Sequence, residues 1–237
     1  MCKSAPGAES LTCRSSSHLL LWFESNGSHR HMRVALPDSA ALGAGRKALR
    51  ARLNAQRRLV APSERAHISL AVARNADRVL RLQSHWRIAL YAALPWELDA
   101  APLVALAASR GCRIYLPCID RRHSSRRMRF VEMRGPWRDN RLGIAEPVTG
   151  ATLGARWLDL VFLPLVGFDR HGVRLGTGGG YYDRAFAFRM WRRAWHAPRL
   201  VGLAYAFQEL ESIGAAAHDV RMDAVVTEKG VLQCATG

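Results

Sequence analysis

Residues 158–184 read LDLVFLPLVGFDRHGVRLGTGGGYYDR, an apolar run that passes through a turn into a cluster of glycines and then into a helical pattern. Residues 158–165 are apolar at almost every position, and residues 200–206 have the same character further along the chain. Strands that are apolar on both faces are typical of the centre of a parallel sheet, where helices cover both sides. The two runs therefore predict central strands of an α/β protein.

The rest of the chain supplies the helices and strands that such a sheet requires. Leu49 and Leu53 indicate a basic helix, and Pro62-Ser63-Glu64 predicts a second helix with Ser63 as its N-cap. Further strands are predicted at residues 87–92, 113–117 and 224–227, further helices at 102–109 and 181–195, and a hairpin or irregular insertion at 119–157. The predicted fold class is α/β, with a mainly parallel sheet flanked by helices in a three-layer α/β/α sandwich of Rossmann-like type.

The first part of the chain reads differently from the rest. Up to about residue 45, Ser, Gly, Ala and His are common and no apolar periodicity persists, so we predict a disordered N-terminal extension before a single α/β domain over residues 46–237. Met32 offers a later start, which makes an artefactual extension the alternative hypothesis. Residues 19–23 are too short an apolar run for a signal peptide, and no run is long enough to cross a bilayer. We expect a cytoplasmic monomer that makes no membrane contact.

The chain is strongly basic, with a formal net charge of +16 at pH 7. Its cations are almost all arginines, since only Lys3, Lys47 and Lys229 are lysines. Such a charge attracts polyanions such as RNA or nucleotide phosphates, or it reflects a general replacement of lysine by arginine on a solvated surface. No aromatic RNA-recognition motif, GxxG loop or helix-turn-helix pattern accompanies it, so we expect no specific nucleic acid partner. The five cysteines form neither a CxxC pair nor a cluster at zinc-ligand spacing, which argues against disulfides and a zinc site.

The glycine cluster indicates a phosphate site. Gly176 and residues 178–180 lack side chains, so backbone N–H groups there can approach phosphate oxygens at the start of the following helix. Arg174 can bind a phosphate through its planar guanidinium, and Asp183 lies where a carboxylate could hold the Mg²⁺ that accompanies a nucleotide. The cluster lacks the Gly-Lys-Ser/Thr ending of a Walker A loop and the acidic partner of a dinucleotide fingerprint. A tight turn without a ligand is the alternative.

Several motifs together resemble the 5-formyltetrahydrofolate cyclo-ligase family. Residues 174–184, preceded by Gly167-Phe-Asp and His171-Gly, are similar to the family's signature. Residues 46–50 (RKALR) resemble its basic ATP motif, and residues 88–99, ending in Glu97-Leu-Asp, resemble its first strand and folate-contacting acid. The segments that follow in family order are 113–117 (RIYLP), 140–147 (NRLGIAEP) and 219–228 (DVRMDAVVTE). The resemblance therefore spans about residues 46–230.

The resemblance implies roles for individual residues. The implied ATP-binding residues are Arg46, Lys47, Arg50, Arg174, Leu175, Gly176, Thr177, Gly178, Gly179, Gly180, Tyr181 and Tyr182. The implied folate-binding residues are Ala92, Glu97, Thr177, Gly178, Gly179, Gly180 and Tyr181. Asp183 and Asp219 would bind Mg²⁺, and Arg174 and Tyr181 would be catalytic. Arg46 and Ala92 depart mildly from the family, which more often has lysine and a bulkier apolar residue at these positions.

Each of these residues also has an ordinary structural interpretation. Glu97 could cap a helix, Arg46 and Arg50 could form a solvated face, and Asp219 could be a turn residue. Tyr181 and Tyr182 could be core residues. Their joint occurrence in one order favours the functional interpretation.

The resemblance implies the ATP-dependent cyclisation of 5-formyltetrahydrofolate to 5,10-methenyltetrahydrofolate, with ADP and phosphate as products. An amide oxygen is a poor leaving group, so the implied route phosphorylates the formyl oxygen and then displaces phosphate with the second folate nitrogen. ATP is the expected co-substrate, and Mg²⁺ is the expected cofactor. The other expected partner is the folate, with or without a polyglutamate tail, and we expect the surplus arginines to favour folates with long anionic tails. Two alternatives stay open: a basic RNA-binding protein, and a non-catalytic nucleotide- or folate-binding protein on the same fold.

Overall fold

The computed structural model of the chain describes residues 39–119, 127–139, 143, 145–191 and 197–234, with side chains from residue 43 onward. Within these ranges the helices are α1 (Ser39–Leu59), α2 (Pro62–Leu80), α3 (Ala101–Ser109), α4 (Tyr181–Phe186) and α5 (Phe188–Trp191). The strands are β1 (Arg87–Ala89), β2 (Arg113–Ile119), β3 (Met128–Glu132), β4 (Arg134–Asp139), β5 (Ala145–Thr149), β6 (Thr152–Leu153), β7 (Leu160–Pro164), β8 (Gly167–Phe168), β9 (Arg174–Leu175), β10 (Arg199–Leu203), β11 (Ala224–Thr227) and β12 (Gly230–Gln233). Short 3₁₀ turns lie at Ala155–Trp157 and Ala206–Gln208.

Most of the described strands join one sheet in the order β12-β11-β10-β7-β1-β2-β3-β6. The central five, from β11 to β2, pair in parallel, whereas β12, β3 and β6 are antiparallel to their neighbours. The prediction of a mainly parallel sheet is therefore confirmed. From β1 the chain moves to β2 on one side, and from β7 it moves to β10 and β11 on the other. Ligands of open α/β sheets bind at such a switch point, beyond the carboxyl ends of the strands.

β7 shows that both faces of the sheet are buried. Leu160 and Phe162 belong to a core with residues of α2 and α3, while Val161 and Leu163 belong to a second core with Phe186 of α4. All four strand residues are at most 1% exposed. Because side chains alternate between the faces of a strand, an apolar run is required where helices cover both faces. The predicted layered arrangement is confirmed.

α1 packs against the loops at the carboxyl edge of the sheet. Leu53, in the middle of the helix, belongs to a third core with Val166, Val173, Leu175 and Ile213. The helix begins at Ser39, earlier than the regular structure expected from residue 46. Residues 1–38 lie outside the described residues, so the disordered extension and the domain boundary at residue 45 stay predictions.

Local details differ from the sequence-based expectations. Ser63 is not the N-cap of α2: the helix begins at Pro62 after Ala61, without a side-chain cap. Proline suits the first helical turn because its missing N–H would have no helical partner there. The helix predicted at 181–195 is divided into α4 and α5, and residues 192–196 lie outside the described ranges.

The predicted insertion at 119–157 contains the β4–β5 hairpin and two strands that join the main sheet. In the described part of the chain, no helix has both the length and the apolar character needed to cross a membrane.

Candidate active site

A cavity of about 510 Å³ lies at the switch point of the sheet. Tyr91 and Ala92 follow β1, Pro117 and Ile119 belong to the end of β2, and Pro164 ends β7, so the carboxyl ends of three strands reach its wall. The predicted site residues in this wall are Arg46, Arg50, Ala92, Glu97, Arg174, Gly176, Thr177, Gly178, Gly179, Gly180, Tyr181, Tyr182, Asp183 and Asp219. One cavity therefore brings together nearly all of the predicted nucleotide, folate and metal residues.

Two predicted ATP-binding side chains are not part of this wall. Lys47 is exposed on α1. Leu175 is fully buried in the third core, where it packs with Leu53. Leu175 therefore supports the loop that follows it from behind, and a direct nucleotide contact by either residue stays a prediction.

The glycine loop adopts a conformation that few other residues tolerate. Gly178 and Gly180 have φ values of +105° and +63°, which L side chains rarely adopt. A Cβ on Gly179 would come within 2.8 Å of the Tyr181 ring. Arg184 holds the loop from the helix side, because it donates a hydrogen bond to the Gly179 carbonyl at 2.8 Å and lies 5.2 Å from the Tyr181 ring centroid. The loop therefore brings bare backbone to the cavity wall.

The β8–β9 hairpin positions Arg174. At its turn, the carboxylate of Asp169, which is 2% exposed, accepts hydrogen bonds from the backbone N–H groups of His171 and Val173 at 3.0 Å and of Ile213 at 3.2 Å. Arg174 follows directly on β9. Its guanidinium lies 2.6 Å from the Asp183 carboxylate and 5.6 Å from the Tyr182 ring centroid, so the arginine is fixed at the wall by packing as well as by charge.

α1 contributes two more cations to the same wall. Arg46 pairs with Asp219 and donates to the Gly214 carbonyl at 3.0 Å, and Arg50 donates to the Gly176 carbonyl at 2.8 Å. Within the described part of the chain, the buried Nε of Arg46 has no hydrogen-bond partner. Burial, followed by the nearby Arg46 charge, lowers the pKa of Arg50. Cations crowded around a glycine loop favour an anionic ligand, because each added negative charge relieves their mutual repulsion.

Two carboxylates of the wall are candidate magnesium ligands. Asp183 and Asp219 line the same cavity, and the N–H of Val220, the next residue after Asp219, lies 3.4 Å from Asp183 Oδ1. Among the described residues, no group of three or more His, Cys, Asp or Glu side chains is assembled that could hold a metal. Mg²⁺ commonly binds through one or two carboxylates and completes its coordination with phosphate oxygens and water. The pair therefore fits a metal that arrives with a nucleotide.

The remaining residues of the wall are mostly apolar, and the sequence analysis did not assign most of them. The missed wall residues include Tyr91, Leu94, Trp96, Leu116, Pro117, Ile119, Met128, Ala145, Glu146, Pro164, Leu165 and His218. Many of them end or follow a parallel strand. Because ligands of open α/β sheets bind beyond the carboxyl ends of the strands, their positions in the sequence could have identified them.

The buried polar groups of this part are held by the backbone. The Tyr91 hydroxyl donates to the Leu98 carbonyl at 2.9 Å, and Glu146 accepts the Ile119 N–H at 3.3 Å. Burial raises the pKa of the Tyr91 and Tyr182 phenols, so both stay protonated at neutral pH.

Glu97 does not cap the following helix, which was its ordinary interpretation. Its Oε2 accepts the N–H of Leu94 at 3.1 Å, within its own loop, whereas Asp99 accepts the Ala101 N–H at the start of α3. Glu97 is 8% exposed and lies in the cavity wall. A carboxylate held in this way can accept hydrogen bonds from the N–H groups of a ligand.

Comparisons with known proteins identify similar sequences and folds. A model of the 5-formyltetrahydrofolate cyclo-ligase family matches residues 43–228. The chain is 32% identical over 154 residues to the 5-formyltetrahydrofolate cyclo-ligase of Haemophilus influenzae, covering 63% of this chain and 80% of that protein. It is 34% identical over 149 residues to the 5-formyltetrahydrofolate cyclo-ligase of Escherichia coli strain K12, covering 61% and 79%.

A solved structure is similar as well. The NMR structure of Aquifex aeolicus 5,10-methenyltetrahydrofolate synthetase matches with a TM-score of 0.68 at 28% identity, over 81% of this chain and 94% of that chain. The family resemblance seen in the motifs is confirmed over residues 43–228. This chain belongs to the 5-formyltetrahydrofolate cyclo-ligase family.

Proposed function

We propose that this chain cyclises 5-formyltetrahydrofolate to 5,10-methenyltetrahydrofolate in the cavity at the switch point, with ATP converted to ADP and phosphate. Membership of the family supports the reaction. The observation that carries its assignment to this cavity is the meeting of a glycine loop, three arginines and two carboxylates with an apolar wall that contains Glu97. The two substrates match these two parts of the wall: ATP carries a highly charged triphosphate, whereas a folate carries a ring system with N–H groups that a carboxylate can accept and an aromatic ring that an apolar surface can cover.

The charged part of the wall suits the triphosphate. Arg46, Arg50 and Arg174 surround the loop, and their guanidinium groups can each donate hydrogen bonds to phosphate oxygens. The orphan Nε of Arg46 offers one buried donor for this purpose. Phosphoryl transfer asks a protein mainly for alignment and for positive charge around the moving group. The arginines and the backbone of residues 176–180 provide both.

The chemistry then proceeds in two displacements. The formyl oxygen attacks the γ-phosphorus of ATP, the bond from that phosphorus to its bridging oxygen breaks, and ADP leaves. The formyl carbon becomes iminium-like, with a phosphate in place of a poor leaving group. The second folate nitrogen attacks this carbon and loses its proton, the carbon–oxygen bond breaks, and inorganic phosphate leaves with the original formyl oxygen.

Asp183 and Asp219 would hold Mg²⁺ together with the phosphates. The metal would supply charge neutralisation on the triphosphate when bound. Arg174 pairs with Asp183 and Arg46 pairs with Asp219, so each arginine balances the charge of a partly buried carboxylate.

The apolar part of the wall protects the phosphorylated intermediate. Tyr91, Leu116 and Pro117 bring little hydrogen-bonding capacity into the cavity, and a wall of this kind excludes water that would otherwise hydrolyse the intermediate. Glu97 would accept N–H groups of the folate ring, and Tyr181, packed beside Gly179, would border both substrates.

The setting of the activity is part of the same proposal. The free thiols of Cys112, Cys118 and Cys234 are compatible with the cytoplasm as the expected compartment. We expect the chain to act as a monomer. The net charge of +16 would favour substrates with long polyglutamate tails.

One assay tests the proposed function. Purified protein is mixed with ATP, Mg²⁺ and 5-formyltetrahydrofolate, and the absorbance of 5,10-methenyltetrahydrofolate is followed together with ADP release. We expect one ADP for each methenyl product and no product without ATP. Folded protein that binds both substrates but forms neither product would instead be a non-catalytic carrier, and the proposal would be wrong.

A further inference from the structure

A buried arginine outside the cavity wall contacts the loop that carries Glu97. Arg57, near the end of α1, is 2% exposed. Its Nε donates to the Trp96 carbonyl at 3.3 Å, one terminal nitrogen donates to Asn54 Oδ1 at 3.1 Å, and the other lies 3.3 Å from Glu97 Oε1. The next residue, Arg58, places its guanidinium 4.8 Å from the Trp96 ring centroid. Two successive arginines therefore hold two successive residues of the β1–α3 loop (residues 90–100).

Stability alone does not explain this buried pair. Removing an arginine and a carboxylate from water costs several kcal/mol for each ion, and apolar replacements of both are often neutral or stabilising. Arg57 lies on α1 four residues after Leu53 and three residues before Val60, and both of these are buried, so an apolar side chain would suit its position. A buried cation here has a more specific consequence, which is to fix the place of its partner carboxylate.

Glu97 is held by contacts at both oxygens. Oε1 faces Arg57, and Oε2 accepts the Leu94 N–H at 3.1 Å. A carboxylate offers about four acceptor positions, so these contacts leave acceptor positions for a ligand. Because Glu97 lies in the cavity wall, the contacts orient it without occupying all of it.

The geometry of α1 connects Arg57 with the phosphate-binding arginines. An α-helix turns by about 100° per residue, so Arg46, Arg50 and Arg57 point within about 40° of one another on the same face, and Arg57 lies about 16 Å along the axis from Arg46. Leu53 lies between them and packs against Val173 and Leu175, which flank Arg174. One face of one helix therefore contacts the nucleotide loop, the support of Arg174 and the β1–α3 loop.

We propose that Arg57 is a positioning residue for the folate side of the site: from α1 it holds Glu97 at the cavity wall and fixes the distance between the carboxylate and the phosphate-binding arginines of the same helix. The inference rests on the proposed function. It assigns Arg57 to the orientation of the folate and not to the binding of ATP.

Three variants test this role. Arg57→Met keeps the apolar stem and removes the charge, Arg57→Lys keeps a charge without the planar fork, and Arg52→Met is a matched control because Arg52 is exposed on the same helix. Misplacement of an orienting group commonly costs about tenfold or more. We expect Arg57→Met to raise the KM for 5-formyltetrahydrofolate by about tenfold while the KM for ATP stays within about twofold. Arg57→Lys should recover part of the loss, and Arg52→Met should behave as the wild type.

A double variant guards against simple unfolding. Arg57→Met combined with Glu97→Gln removes both charges, so no buried carboxylate is left without a partner. If Arg57 acts through Glu97, the double variant should show no higher KM for the folate than Glu97→Gln alone. Once Glu97 has been changed, the loss of Arg57 should have no further effect on folate binding.

The outcomes separate this inference from the proposed function. Wild-type protein that makes no methenyl product refutes the proposed function itself. Wild-type turnover together with an unchanged folate KM in Arg57→Met refutes only the positioning role. Equal increases of both Michaelis constants would also refute it, because a general loss of structure affects both substrates. Full additivity in the double variant would refute it as well, because Arg57 and Glu97 would then act independently.

Discussion

The buried carboxylate of Asp169 gives a graded prediction of stability. Its two oxygens have different partners: Oδ1 accepts the N–H groups of His171 and Val173, and Oδ2 accepts the N–H of Ile213. Asp169→Asn can keep one oxygen for the first two donors, but its amide nitrogen then faces the Ile213 N–H. A buried donor without a partner costs about 1–3 kcal/mol, so Asp169→Asn should lose about that amount of unfolding free energy. Asp169→Ala removes both acceptors and should lose about 2–6 kcal/mol, because the Val173 and Ile213 bonds are both buried.

Thermal and urea unfolding of the purified variants measure this series. For a domain of this size, each kcal/mol corresponds to a shift of about 2–4 °C in Tm. Glu211→Gln, which changes an exposed carboxylate in the segment before Ile213, is the control and should leave Tm unchanged. The predicted order of decreasing Tm is Glu211→Gln, then Asp169→Asn, then Asp169→Ala. Asn and Ala variants with the same Tm as the wild type, or an Asn variant as unstable as the Ala variant, would refute the division of roles between the two oxygens.

Other substitutions test the charges of the site and of the sheet. Arg174→Ala should lower kcat about a hundredfold, since one lost donor to the moving phosphoryl group costs about 3 kcal/mol. Arg170→Ala, which changes an exposed arginine of the same hairpin, should leave kcat unchanged. Steady-state rates of Arg174→Ala within about fivefold of the wild type would contradict the role of Arg174. Asp183→Asn should raise the Mg²⁺ concentration for half-maximal rate by about tenfold, and an unchanged Mg²⁺ titration would remove Asp183 from the metal site. Hydrogen bonds from Arg87 lower the pKa of Asp159, so their contribution is complete above about pH 4 and is lost as the pH falls through the lower folded value. Asp159→Asn should therefore lower the unfolding free energy at pH 7 by about 1 kcal/mol or less, and this loss should shrink as the pH falls below about 4; urea titrations at a series of pH values measure it, and a loss that does not depend on pH would contradict the role of the charge.

The sequence predicts the centre of this molecule better than its periphery. The run that forms β7 must be apolar on both faces, and the glycines at 178 and 180 occupy backbone conformations that exclude most other residues. Both requirements are local, so the residues themselves predict them. The start of α2 was predicted less well, because Ser63 and Pro62 both offer acceptable first turns and the local signals compete.

The contacts that complete the site are not local and could not be predicted in the same way. Arg57 meets Glu97 across 40 positions of sequence, and Arg46 meets Asp219 across 173. Periodicity within a helix shows that a face is basic, but it does not show which carboxylate that face will meet. The family resemblance named Arg46 and Glu97 as contacts of the substrates, yet the pairing of each with another charged side chain required the structure.

The dispersed origin of the cavity wall has a thermodynamic consequence. Segments from Arg46 on the first helix to Asp219 just before β11 must all be in place before the wall is complete, so no partly folded fragment offers a binding-competent surface. Occupancy is therefore linked to the cooperative opening of the whole domain: a ligand at one hundred times its Kd adds about 2.7 kcal/mol to that opening. Amide hydrogens throughout the innermost parallel strands, including those that do not contact the ligand, would exchange with solvent more slowly as a result.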